Sequence, residues 1–164
     1  MSEPDEAAEA FWQFSLCFYR LPRIEEALVG LQDRDGYDVN LILYALWLGW
    51  SGRGRVGKRE LAEAALAAEP IRERVAAPLR ALRRRLKSDP DLDVQALRER
   101  IKGLELEAER IAQSRLAAHA GPPSDAPAAA RRADACANLA CTLGARAGSA
   151  EAAVLAAALD RLPG

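Results

Sequence analysis

Residues 31–51 read LQDRDGYDVNLILYALWLGWS. An acidic turn (Asp33, Asp35, Gly36, Asp38) runs into a segment that is apolar on nearly every side, with Trp47 and Trp50 near its end. Val39, Ile42, Leu43, Leu46, Trp47 and Trp50 fall at i, i+3, i+4, i+7, i+8 and i+11, the spacing of one helix face. Leu41, Tyr44, Ala45 and Leu48 fill the other faces. A helix with no polar side is one that other elements surround, so residues 39–50 predict the buried centre of the fold. Asp38 is placed to accept the free N–H groups of the first turn, and Gly36 to stop the preceding helix in the left-handed region.

The flanking chain is helical in pattern. Ala7, Phe11, Phe14 and Phe18 recur at i, i+4, i+7 and i+11, a core-facing stripe on a helix from about residue 5 to 19. Pro22 suits the start of a second helix, whose apolar face is Ile24, Ala27, Leu28 and Leu31. All nine aromatic residues lie between Phe11 and Trp50. Large aromatic side chains dominate burial, so the first three helices form the nucleus. A glycine-rich basic loop, residues 51–57, leads to a short helix near 58–68 and a longer one near 71–87, which Pro78 should kink or split. The next helix, to about residue 119, carries Val94, Leu97, Ile101, Leu104, Ala108 and Ile111 at alternating three- and four-residue spacing. That suits an antiparallel pairing inside a bundle. The segment AGPPSDAP, residues 120–127, reads as a loop or linker. Beyond it, residues 128–164 form two alanine-rich helical stretches whose small side chains bury little area each, which predicts peripheral packing or partial order. No segment has the two-residue period of a strand. The expectation is an all-α, single-domain irregular bundle of about six to eight helices. It comprises a helical core (1–119), a Pro-rich loop (120–127) and Ala-rich helices (128–164) packed on that core or partly ordered.

Composition bounds the function. A chain of 164 residues with half its side chains apolar and 29% charged is globular and needs no staples. A net charge of −1 supplies no overall field for nucleic acid or an anionic membrane. Charge is nonetheless uneven. Residues 1–51 hold 3 basic and 9 acidic side chains, and residues 52–88 hold 11 and 4. Three cysteines without a pairing pattern fit a reducing compartment, and the acidic N-terminus is not a signal peptide. The apolar run 39–50 contains Asn40 and is too short to span a bilayer. The expected location is the cytoplasm.

Two sets of residues are candidates for a site. The first is Asp33, Asp35, Asp38 and Asn40. Counting an EF-hand from Asp33 puts Gly36 at position 4 and Tyr44 at position 12, so the calcium register fails. Magnesium held against a phosphorylated substrate requires acidic motifs facing one another, and only one such cluster exists here. The simpler role is local: Asp38 caps a helix, Asp35 and Gly36 turn the chain, and Asp33 pairs with an arginine. Asn40, in the first turn of an apolar helix, needs a buried hydrogen-bond partner.

The second set is basic. Arg80, Arg83, Arg84 and Lys87 share a helix face, and Arg53, Arg55 and Lys58 lie in or beside the glycine-rich loop. Together they offer a surface for an acidic partner, in the first place another protein, unless the acidic N-terminal helices neutralise them. No aromatics interleave with them, which disfavours nucleic acid. The loop is not a phosphate loop, because a helix precedes it and Arg59 follows Lys58. A single histidine and scattered cysteines supply neither a zinc site nor a catalytic triad; Cys136 and Cys141 point about 140° apart on a helix. No metal or cofactor is implied. The first reading is a non-enzymatic binding or adaptor protein using the basic face. The second is a helical enzyme or ligand binder using the Asp33/Asp35/Asp38/Asn40 cluster, with magnesium and a phosphorylated substrate.

The runs FWQFSLCFY (11–19), LQDRDGYDVNLILYALW (31–47) and PLRALRRRLK (78–87) resemble a small proteobacterial family of about this length, classed as a domain of unknown function. The resemblance covers roughly residues 8 to 118. It implies an all-helical cytoplasmic protein and carries no activity, cofactor or catalytic residue.

Overall fold

The computed structural model describes residues 3–162, which form helices and, among the described residues, no strand. The order is α1 (Glu3–Tyr19), α2 (Ile24–Asp35), α3 (Val39–Trp50), α4 (Lys58–Ile71), a π segment (Arg72–Ala76), α5 (Ala77–Arg85), α6 (Leu92–Ala117), α7 (Ala128–Leu143) and α8 (Ala150–Ala158), with short 3-10 turns after α7 and α8. None of these helices is long and apolar enough to cross a membrane.

The opening stretch folds as its residues dictate. Gly36 adopts φ 75°, and its N–H donates to the Gln32 carbonyl while that of Tyr37 donates to Leu31, closing α2. Asp38 then caps α3, accepting from the N–H groups of Asn40 at 2.9 Å and Leu41 at 3.4 Å. Ten of the helix's residues are buried, from Val39 to Gly49 with only Leu41 less covered. Phe11 of α1 stacks on Trp47 with ring centroids 5.0 Å apart and meets Tyr44 edge-on at 5.7 Å. Phe14 reaches Trp50.

The helices expected near 58–68 and 71–87 are one rod. Pro70 and Pro78 both lie within it, and the turn between them is wide: the Ala77 N–H donates to Arg72, five residues back. Pro78 has no N–H, and in a regular α turn its ring would press on the carbonyl four residues earlier. The wider π turn relieves that pressure without breaking the rod. α6 runs antiparallel to it. Gln95 Nε2 donates to the carbonyls of Leu86 and Asp89, and Arg98 Nε to that of Arg83, fastening the connecting turn.

The alanine-rich α7 is not peripheral. It is the principal neighbour of α3, with Ala135, Leu139 and Leu143 buried. A Cβ placed on Gly49 of α3 would stand 2.1 Å from the Ala135 nitrogen and 2.4 Å from its Cα. Small residues on both helices let the two backbones touch, so few atoms per side chain still make a dense contact. Asn138 of α7, buried, binds the glycine-rich loop: its Nδ2 donates to the carbonyls of Ala45 and Gly54, and its Oδ1 accepts the Val56 N–H at 2.9 Å. Ser124 donates to the Gly52 carbonyl through both backbone and side chain, so residues 120–127 lie back on that loop. The Tyr37 hydroxyl donates to the Leu143 carbonyl at 2.6 Å. α8 packs on α2, where Arg34 reaches Glu151.

Candidate functional site

A cavity of about 490 Å³ lies between α1, α2, the first turn of α3, the π–α5 part of the rod, and α6. Trp12, Leu16 and Tyr19 of α1, Val29 of α2 and Leu106 of α6 give it an apolar wall. The opposite wall is charged. There Arg80 binds both Glu105 and Glu109, and Arg83 holds Glu105 through two nitrogens. Arg72, from the π segment, lies 3.4 Å from Asp38 and 2.9 Å from Glu73.

The floor is a chain of buried polar side chains. The Ser15 hydroxyl lies 3.0 Å from both the Phe11 carbonyl and Gln113 Oε1. Gln113 Nε2 donates to Asn40 Oδ1 at 3.0 Å, and Asn40 Nδ2 donates to Glu109 Oε2. The chain therefore runs without a break from α1 through α6 and α3 to the Glu109–Arg80 ion pair. Such a buried network is stiff because each member's alternative is an unpaired polar group.

Burial shapes the charges. Loss of water pushes the Asp38 carboxyl above the ordinary aspartate value, against the pull of Arg72 and the two capping N–H groups. Burial likewise raises Glu109, opposed by Arg80 and Asn40 and reinforced by the nearby charges of Asp38 and Glu105. Two carboxyls therefore sit in poorly hydrated positions, each facing an arginine that offsets part of the cost of burial. Glu25 also lines the cavity, without an ion-pair partner among the described residues.

The acidic candidates do not act as a set. Asp38 and Asn40 line the cavity. Asp33 pairs with Arg84 at 3.0 Å, and Asp35 pairs with Arg34 and Arg146, where it contributes to the α2–α8 contact. Asn40 finds its partners in side chains of α6. The basic candidates divide as well. Arg80 and Arg83 are half-buried and turned to α6, Arg84 is held by Asp33, and Lys87 lies past the end of α5. Neutralisation comes chiefly from α6, and only Asp33 belongs to the acidic N-terminal helices. Arg53 lies 4.5 Å from the centre of the Trp47 ring, Arg55 pairs with Asp134, and Lys58 begins α4. Lys58 and Arg80 stand at opposite parts of one rod, roughly 30 Å apart at the helical rise per residue. They do not form one surface.

Sequence reasoning passed over Ser15, Glu105, Glu109 and Gln113. The last three recur at i, i+4 and i+8, a polar stripe beside the apolar one on α6, and that spacing was the available signal.

Comparison with curated proteins and with solved structures returns no match. Every residue that lines the cavity, from Trp12 to Gln113, lies within the segment that a family model matches, whereas α7 and α8 lie beyond it. That model is described as a protein of unknown function (DUF2390); it matches residues 10–116, and the chain belongs to that family.

Proposed function

We propose that this chain binds a small organic molecule in the cavity between α1, α2, α3, α5 and α6. The observation that carries the reading is the cavity's construction. Its volume of about 490 Å³ falls in the range of small-molecule sites, and it sets an apolar wall against fixed polar groups. The matching ligand is compact, apolar on one side and equipped with hydrogen-bonding and charged groups on the other. Trp12, Leu16 and Tyr19 would cover its apolar side, and Arg80, Arg83 and Glu105 would face the polar one. Binding is favoured over chemistry because Asp38, Glu105 and Glu109 are already engaged by arginines.

Docking of an acidic partner protein on the arginine face has less support, since Arg80, Arg83 and Arg84 are all in ion pairs within the chain. A cytoplasmic setting suits the three free cysteines.

The test is a thermal-shift and ligand-observed NMR survey of small amphiphilic metabolites against the wild-type chain and Ala77→Phe. Ala77 lines the cavity, and a phenyl group there projects into it and takes up part of its volume. Compounds that bind the wild type and lose binding to Ala77→Phe support the proposal. Compounds that bind both equally, or a survey in which nothing binds, overturn it.

A further inference from the structure

The long helix α6 carries an outward stripe that its own bundle does not use. Leu97, Leu104 and Ile111 are 49, 52 and 46% exposed and recur every seven residues, over about 21 Å of helix. The residues between them in the apolar pattern, Ile101 and Ala108, are buried against the rod formed by α4 and α5. Large aliphatic side chains recurring every seven residues on a helix surface offer one apolar position per heptad to a second helix, and here the charged Arg100 and Glu107 take the other.

The charges beside the stripe identify the partner. Along this line the helix reads Asp93, Leu97, Arg100, Leu104, Glu107, Ile111, Arg115, and the helical period keeps all seven within about 60° of one another's mean direction. The order is self-complementary about Leu104. Turned end for end about Leu104, it sets Leu97 against Ile111, Asp93 against Arg115 and Leu104 against itself, and brings Arg100 to within one residue, about 1.5 Å of axial rise, of Glu107, a gap the two long side chains span. A parallel copy would instead oppose Arg100 to Arg100 and Glu107 to Glu107. All four charged residues are exposed, and none makes an ion pair within the described chain.

We infer that α6 pairs antiparallel with α6 of a second copy of this chain across a two-fold axis at Leu104. Two-fold contacts of this kind use one patch on both subunits, with each residue's partner also meeting its counterpart. The four cross-pairs fix orientation and register, because like charges on opposite sides of such a seam are costly. The stripe is short, so the pairing lies at the weak, concentration-dependent end of protein association. The cavity is on the other side of α6, through Glu109 and Gln113, and is not closed by the pairing.

Sedimentation velocity of the full chain across a wide concentration range tests this. The wild type shifts from monomer to dimer as concentration rises. Leu104→Glu stays monomeric, and Arg100→Glu weakens the dimer about tenfold or more. The double variant Arg100→Glu/Glu107→Arg recovers it, since both new charges meet their opposites. These positions are exposed, so wild-type helicity and melting temperature in each variant separate loss of pairing from loss of fold. A wild type that remains monomeric throughout, or a dimer indifferent to Leu104→Glu, overturns the inference. A double variant no better than Arg100→Glu overturns the two-fold register.

Discussion

One methyl group at Gly49 is the sharpest probe of how α3 and α7 meet. The added carbon would stand 2.1 Å from the Ala135 nitrogen, 2.4 Å from its Cα and 2.6 Å from the Asp134 carbonyl carbon. Ordinary contact begins near 3.4 Å, so α7 must retreat by about 1.3 Å. All three atoms belong to the backbone, and no rotamer change relieves them. Helix propensity alone would favour alanine by about 1 kcal/mol. Overpacking costs typically about 1–3 kcal/mol and more where a backbone has to move. Retreat also loosens Leu139, Leu143 and the hydrogen bonds of Asn138. The net expectation for Gly49→Ala is a loss of about 2 kcal/mol or more, read by urea titration with far-UV circular dichroism. For a chain of this size that is a fall in Tm of about 4–8 °C. Gly30→Ala in α2 is the control: its added carbon meets nothing within 4 Å, and it should stabilise by about 0.4–1 kcal/mol. If Gly49→Ala is as stable as the wild type while Gly30→Ala shows its gain, the close approach of α3 and α7 is wrong.

Three further outcomes follow from the hydrogen bonds and charges. Asn138→Ala removes the partners of the Ala45 and Gly54 carbonyls and of the Val56 N–H; about 2–4 kcal/mol of stability should go, and hydrogen exchange at Val56 should accelerate more than in α6. Asp38→Ala should cost about 0.5–2 kcal/mol in denaturant titration, and Asp38→Asn, which keeps a capping oxygen, most of that less; equal costs would show that the cap is not what Asp38 supplies. The third concerns pH. Asp38 and Glu109 are raised in the folded state above 3.8 and 4.5, so over the interval above those values the folded chain holds more protons than the unfolded one. Their contribution therefore favours folding at low pH and is lost as pH rises through the raised values. The wild type should lose stability relative to Asp38→Asn/Glu109→Gln as pH climbs from the ordinary carboxylate range toward neutrality, and a difference that is flat or grows would contradict the burial described.

The local part of this fold was legible because local rules decide it. Gly36 could stop a helix, Asp38 could cap one, and the unbroken apolar face of residues 39–50 could only be a centre. What surrounds that centre was less readable. Alanine in α7 suggested little buried area, yet its worth lies in what it permits: a backbone at contact distance from Gly49, itself indistinguishable in the sequence from any other apolar position. The arginines of α5 were visible as a face, but their partners Glu105 and Glu109 stand more than twenty residues away, and only the antiparallel return of α6 brings them together. The cavity left no direct mark, since periodicity records which faces are apolar and not where neighbouring faces fail to meet.

The contact between α3 and α7 also bears on how the chain is made. Gly49 and Ala135 are separated by 86 positions, and at about 5–20 residues per second α7 emerges from a ribosome on the order of 4–17 s after α3. During that interval the most apolar helix of the protein has α1 and α2 beside it but not its principal neighbour. The nascent chain therefore passes through a stage in which part of its future centre is a surface, until the arrival of α7 covers it.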